Sequence, residues 1–262
     1  MKTIVITGST RGIGFGLAKA FLELGCSVVV SGRFDESVDS ARTLLVKQHE
    51  ADRVIGIPCN VSNCENVQML WDKAVEALGP VDVWINNAGI SHPQLTPWEQ
   101  TVDRTQAIVE TNILGTFYGA RTAITEMLKQ GHGAIYNLEG LGSAGRHVPG
   151  TALYGTTKAA IRYFTDALIL ETKGTPLIVG AISPGMVITD LITDGLDRES
   201  PDWPRAKRIF NILADRVETV TPWIAKRVLA NMKTGVRINW LTKPRAFSRF
   251  ALAPFRNRDL FD

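Results

Sequence analysis

The chain has little cysteine and no clustered histidine. Its three cysteines, Cys26, Cys59 and Cys64, form no C-x-x-C pair and are odd in number, which argues against a disulfide framework and for reduced thiols. His49, His92, His132 and His147 are scattered without ligand spacing; no metal site is expected, and each reads as a loop or surface residue. No apolar run is long enough to span a bilayer. Met1-Lys2 leads straight into the strand-like Thr3–Thr7 with no signal or transit peptide before it, so a cytoplasmic location is expected. Repeats, low-complexity tracts and linkers are also missing, and residues 1–262 read as one domain.

Acid is missing from one stretch. Lys226, Arg227, Lys233, Arg237, Lys243, Arg245, Arg249, Arg256 and Arg258 fall between 226 and 258 with no Asp or Glu among them. The whole chain is +3, so the rest sums to −6. This basic segment, 226–262, also carries Trp240, Leu241, Phe247, Phe250, Leu252 and Phe255. It reads either as a contact for an anionic lipid surface or as a subunit interface of a homodimer or homotetramer. No nucleic-acid partner is expected.

What is present is a regular alternation. Strand patterns at Thr3–Thr7, Val28–Ser31, Val54–Pro58, Val81–Ile85, Ala134–Leu138, Leu177–Ser183 and Val236–Leu241 are separated by helical patterns, among them 35–50, 63–78, 102–129 and 149–173. The fold expected is a doubly wound, mostly parallel α/β sheet in three layers, a Rossmann fold. Gly115 and Gly119, one turn apart, suggest close packing of the long helix.

Gly8-Ser9-Thr10-Arg11-Gly12-Ile13-Gly14 lies between the first strand and its helix. Glycines there let backbone N–H groups approach a pyrophosphate at the positive helix end. An acidic residue at the tip of the second strand would bind the ribose hydroxyls of NAD; this chain has none there. Ser31, Arg33 and Arg11 suit a 2′-phosphate instead, so NADPH is the cofactor expected. Asp35 lies beyond the strand tip and reads as the opening of the next helix. Asn60 and Val61 fall where an adenine would sit.

Tyr154 and Lys158 are four residues apart, which on a helix puts phenol and ammonium on one face. A fixed cation beside a phenol favours its ionised form, so Tyr154 is expected to titrate below its usual value near ~10. Such a group exchanges a proton with a substrate oxygen.

Thr7–Gly14, Asn86–Gly89, Asn112, Tyr154/Lys158 and Pro184-Gly185, in this order, resemble the short-chain dehydrogenase/reductase family over essentially the whole chain. The resemblance implies that Tyr154 is the general acid/base and that Lys158 lowers its pKa and holds the nicotinamide ribose. It also implies that Asn112 holds a relay water, and that Asn87, Ala88, Gly89, Pro184, Gly185, Val187 and Thr189 border the cofactor. Two departures stand out. Asn60 replaces the usual Asp, and its amide oxygen still accepts from an adenine amine. Gly140 falls where the family has its catalytic serine; Ser143, a loop residue, or a backbone N–H is left to take that place. The run Asn137-Leu138-Glu139-Gly140-Leu141-Gly142-Ser143, Ser183–Leu191, Phe210-Asn211-Ile212, Ile238–Thr242 with Pro244-Arg245, and Leu260-Phe261-Asp262 look like the chlorophyll b reductases within the family. That implies NADPH reduction of the ring formyl of chlorophyll(ide) b, at or near a photosynthetic membrane. A generic carbonyl or 3-oxoacyl reductase, and a nucleotide-binding scaffold that has lost catalysis, remain as alternatives. The segment at about 186–215, with Leu191, Ile192, Leu196, Trp203, Ile209 and Phe210, is expected to cover a flat apolar substrate.

Overall fold

In the computed structural model, residues 1–194, 198–255 and 258–261 are described. Leu196, Arg256 and Asp262 therefore lie outside the described residues. Seven parallel strands form one sheet in the order β3-β2-β1-β4-β5-β6-β9. They are β1 (Thr3–Ile6), β2 (Ser27–Gly32), β3 (Val54–Pro58), β4 (Val83–Asn86), β5 (Gly133–Leu138), β6 (Leu177–Ser183) and β9 (Arg237–Asn239). Strands buried on both faces read as near-continuous apolar runs, as Ile4-Val5-Ile6 and Val28-Val29-Val30 do here. Alternate residues feed two cores. Ile4, Ile6, Val28 and Val30 face α1 (Gly12–Glu23) and α9 (Val217–Ala230); Val5, Val29 and Trp84 face α3 (Cys64–Leu78) and α5 (Gly115–Gln130). The doubly wound sheet is the one expected from sequence.

The long helical stretch is continuous but not uniform. α4 (Val102–Ile108) passes into a π-helical turn, Val109–Leu114, before α5. Such turns insert one residue and re-aim a side chain; here the residue carried is Asn112. The glycine pair does what its spacing suggests. A β-carbon on Gly115 would lie 2.7 Å from Val61, and one on Gly119 would overlap the Asn86 amide oxygen. α5 therefore sits directly on the sheet. α2 (Asp35–Val46) begins at Asp35, which is exposed in its first turn. α6 (Ala152–Glu171) carries Tyr154 and Lys158 and starts three residues later than the pattern indicated.

The region after β6 contains helices that hydrophobic periodicity did not reveal. A two-strand parallel ladder of β7 (Val187–Ile188) and β8 (Asp215–Arg216) brackets α7 (Asp190–Thr193) and α8 (Trp203–Leu213), and α10 (Lys243–Leu252) packs on α8. The anchor of this region is Asp215, 4% exposed, whose carboxylate accepts from Trp240 Nε1 at 2.6 Å, Arg249 at 2.6 Å and Arg258 at 3.2 Å. Arg245 lies 3.9 Å over the Trp240 ring. Within the basic segment, Arg237, Arg245, Arg249 and Arg258 are tied inward to carboxylates or an indole. Trp203 and Phe210 meet Phe261 edge-on at 5.0 and 5.6 Å, so these two rings pack on Phe261. No helix among the described residues is long and apolar enough to cross a membrane. Cys26, Cys59 and Cys64 are all free, and burial pushes the Cys59 thiol up to about 12, leaving it unreactive.

Candidate active site

Strand order reverses between β1 and β4, the place where open α/β sheets bind ligands beyond their carboxyl ends. The two loops leaving these strands are stitched together. Thr7 Oγ1 accepts from the N–H groups of Asn87 (3.0 Å) and Ala88 (3.1 Å), and Asn87 Nδ2 donates to the carbonyls of Thr7 (2.9 Å) and Gly8 (2.8 Å). Contact this close excludes side chains. A β-carbon on Gly8, which has φ of 62°, would lie 2.7 Å from Ala88 Cα, and one on Gly14 would collide with the Gly8 carbonyl. The result is a bare backbone cradle at the N-terminus of α1, fit for a pyrophosphate. Ile13 packs behind it on the core, and Thr189 stands 3.4 Å from where a Gly12 β-carbon would be. Val187 is buried, while Gly185 (φ 74°) turns the chain where a β-carbon would strike Leu241, just after buried Pro184. The cradle fits a dinucleotide.

Several residues singled out for cofactor contact are placed differently. Ser9 is fully buried; its hydroxyl donates to Ile6 O (2.7 Å) and accepts from Ser31 N–H (2.9 Å), so it joins β1 to β2. Ser31 is also fully buried, with its hydroxyl unpartnered inside the sheet, and is closed off from a 2′-phosphate. Arg33 remains exposed at the β2 tip beside Phe34. Arg11 reaches across the groove to Asp190 at 3.4 Å, an exposed pair worth little by itself. The Asn60 amide oxygen already accepts from Ser62 N–H (3.3 Å) and Oγ (2.8 Å), so both lone pairs are taken and the bond envisaged to an adenine amine is in competition with Ser62.

The catalytic candidates converge above the end of β5. Lys158 is 4% exposed; Nζ donates to Leu138 O at 3.0 Å and lies 5.7 Å from the Tyr154 ring centre. A β-carbon on Gly140 would stand 2.9 Å from Tyr154 Oη and 3.3 Å from Lys158 Cε. The space where a serine side chain was expected is filled by the phenol and by lysine methylenes. Gly142 and Gly155 bring the loop and α6 into backbone contact, since a β-carbon on Gly142 would be 2.5 Å from Gly155 Cα. Ser143 does not swing into the site. Its hydroxyl donates to Lys158 O (3.0 Å) and accepts from Gly140 N–H (3.0 Å), so its single donor is spent on holding the loop to α6. Asn112 is equally committed: Nδ2 donates to Ile90 O (3.0 Å) and Thr157 Oγ1 (3.1 Å), and Oδ1 accepts from Ile90 N–H (2.9 Å). It braces the β4 loop, including Gly89, against α6, and its side chain has no donor left for a relay water.

Two residues of the site were missed. His92 lies in a loop, as expected, but is buried; its Nε2 accepts from Tyr154 N–H at 3.2 Å, capping an orphan donor in the first turn of α6. Glu139 is 3% exposed and paired with Arg237. Glu139 lies in the run that carries the resemblance, but neither residue's role is legible in sequence, because each is defined by a partner far along the chain.

The electrostatics reverse one expectation. Burial pushes Tyr154 up to about 12 instead of the ammonium pulling it down. Burial also pulls Lys158 down to about 8, with Glu139 opposing the fall. The Lys158 cation is turned onto a carbonyl and shares its charge with Glu139, so desolvation of the phenol dominates. Near pH 7 the pair is phenol and ammonium, the form that gives a proton.

A lysine lowered from its ordinary value to about 8 withholds roughly 3 kcal/mol from the fold below pH 8, a penalty that fades as pH rises toward its unfolded value. Lys158→Met removes the penalty but leaves the Leu138 carbonyl unpaired, at ~1–2 kcal/mol. The variant should be more stable than wild type at pH 7 by about 1–2 kcal/mol in urea unfolding, with the advantage lost as pH climbs from 8 toward 10. Lower stability at pH 7 would refute the desolvation account.

A profile of the family described as short chain dehydrogenase matches residues 2–199. Chlorophyll(ide) b reductase NOL of Oryza sativa, a chloroplastic protein, is 37% identical over 97% of this chain and 77% of its own length. The probable chlorophyll(ide) b reductase NYC1 of Arabidopsis thaliana, also chloroplastic, is 34% identical over 100% of this chain, which spans only 55% of that protein. Among solved structures, ElxO with NADP bound superposes with a TM-score of 0.77 at 26% identity, covering 91% of this chain and 97% of the other. The chain belongs to the short chain dehydrogenase family.

Proposed function

We propose that the protein is an NADPH-dependent reductase of the ring formyl group of chlorophyll(ide) b. The observation that carries this reading is the extent of the similarity. The family profile ends at residue 199, whereas the two chlorophyll(ide) b reductases match through the C-terminal region as well. That region holds α8 to α10, next to the segment that follows β6.

The residues support a simple division of labour. The glycine cradle, Thr189 and Lys158 hold the dinucleotide, and Arg33 meets its 2′-phosphate. A reduced nicotinamide supplies hydride to the formyl carbon. Tyr154 gives its proton to the formyl oxygen as charge develops there, and the hydroxymethyl product results. A phenol held well above neutrality is protonated before the reaction, which suits the reducing direction. Lys158, charged near pH 7, stabilises the phenolate left behind. With Ser143 tied back, Tyr154 works without a neighbouring hydroxyl from that loop.

The test is incubation of the protein with NADPH and chlorophyllide b, followed by absorption spectra. Conversion to the hydroxymethyl pigment is expected, and Tyr154→Phe should lower kcat by about 10²–10⁴-fold. Reduction of simple ketones or 3-oxoacyl thioesters with no pigment turnover would reassign it as a generic carbonyl reductase. No turnover of either class would leave the nucleotide-binding scaffold. Arg33→Asp should invert the cofactor preference from NADPH to NADH, read by fluorescence titration; equal affinities in the wild type would remove the 2′-phosphate site.

The same reading gives α10 a place at a lipid surface. Phe247 (77% exposed), Phe250 and Lys243 stand out from it, away from the tied arginines, and Phe255 (85%) is exposed in the 3-10 turn Ala253–Phe255 that follows. Exposed rings flanked by basic residues bind anionic bilayers shallowly. Co-sedimentation with anionic vesicles at low salt, lost at high salt, is expected, and Phe247→Ser with Phe255→Ser should abolish it. Failure to bind at low salt would assign this face to a homo-oligomer interface.

A further inference from the structure

Lys158, Arg162 and Asp166 are four residues apart and lie along one face of α6. Opposite them stand Glu139, at the end of β5, and Arg237, on the edge strand β9. The Glu139 carboxylate accepts from Arg237 Nε at 2.9 Å and lies 4.0 Å from Arg162. Arg237 reaches on to Asp166. Glu139 is itself pinned, because its N–H donates to Ile182 O at 2.8 Å. The peptide that joins Glu139 to Leu138 presents the carbonyl to which Lys158 Nζ is bonded. One buried carboxylate therefore sits a single peptide away from the ammonium's anchor, with its remaining lone pairs turned to arginines.

We propose that Glu139, held by Arg237, is a positioning residue that keeps the Lys158 ammonium charged and aimed into the site. The proposal rests on the reductase reading only for its effect on turnover. Without a nearby anion, a lysine this deeply buried loses its proton and no longer stabilises an ionised tyrosine. Glu139 is the anion that opposes the loss. Arg237 and Arg162 moderate it, so that the carboxylate does not draw Lys158 off the Leu138 carbonyl into a closed ion pair. The titratable groups on the elements packed about Lys158 are Tyr154, a neutral phenol near pH 7, and the charged Arg162 and Asp166 on α6, Glu139 after β5 and Arg237 on β9. Gly89 of the β4 loop and Asn112 of the π turn are neutral, and the β4 loop also brings the buried His92, whose Nε2 accepts from Tyr154 N–H at 3.2 Å.

The proposal makes opposite predictions for two variants. Glu139→Gln keeps the acceptor for Arg237 but removes the negative charge, and should lower the pKa of Lys158 by about one unit. Arg237→Gln removes a competing cation and should raise it by a similar or smaller amount. Glu139→Asp should restore most of the wild-type value. The direct measurement is an NMR titration of lysine labelled at Cε, assigned by Lys158→Met, on the protein without substrate. The upper limb of the pH profile for NADPH binding and for turnover should move in the same sense, falling earlier in Glu139→Gln. Lower melting temperatures with an unmoved Lys158 titration would overturn the proposal, as would shifts in the same direction in both charge variants. The titration needs no substrate, so a failure here is distinguishable from a wrong assignment of the reaction.

Discussion

Lys158 Nζ is bonded to the Leu138 carbonyl from a position almost closed to solvent. Keeping a charge there constrains everything nearby. α6 must press on the loop after β5, so Gly142 and Gly155 meet backbone to backbone. Gly140 must be bare, because the tyrosine hydroxyl and the lysine stem fill its side-chain space. Ser143 must turn inward to lock the loop, and an anion must be near enough to offset desolvation. The absent serine is thus a consequence of how closely the loop approaches the helix, and the phenol takes the volume it would have used.

The cofactor side is organised by a second constraint, the stitching of two loops at the switch point. Thr7 and Asn87 tie the β1 and β4 loops together, and Asn112 carries the link on to α6 through Ile90 and Thr157. A buried polar chain runs beneath it: Trp84 to Asn86 to Asn137 to Thr165. Every member is satisfied, which makes such a network rigid instead of costly. The cradle and the proton donor are therefore parts of one connected framework.

Much of this was legible in the sequence, and the division follows the range of the interaction. The strand-glycine-helix start, the Tyr154/Lys158 spacing and the Gly115/Gly119 pair depend on neighbours within a turn or two, and all read correctly as structure. Ser143, Ser31, Asn60 and Asn112 were named for groups they could offer to a ligand. Whether a hydroxyl or amide is free depends on distant partners: Lys158 O for Ser143, Ile90 and Thr157 for Asn112. The basic tail shows the same limit. A charge count from 226 to 258 finds no acid, yet Asp215, Asp166 and Glu139 lie outside that window and take three of its arginines. The roles of His92 and Glu139 left no trace, since neither the histidine's bond to α6 nor the glutamate's pairing with Arg237 has a period or motif.

The energetics of Lys158 also separate an enzyme from a nucleotide-binding scaffold. Roughly 3 kcal/mol is a large fraction of the 5–15 kcal/mol by which a domain of ordinary stability is folded. Holding nucleotide in the glycine cradle draws on backbone N–H groups and the α1 dipole, neither of which needs a buried lysine. An apolar residue at 158 would leave that cradle intact and make the protein more stable. Beyond any contact to the nucleotide, the buried ammonium adds charge that counts most when a phenolate forms beside it, in a site where low polarity magnifies the attraction. A destabilising group whose compensating partners, Glu139 and the Leu138 carbonyl, are themselves arranged around it has the pattern of chemistry.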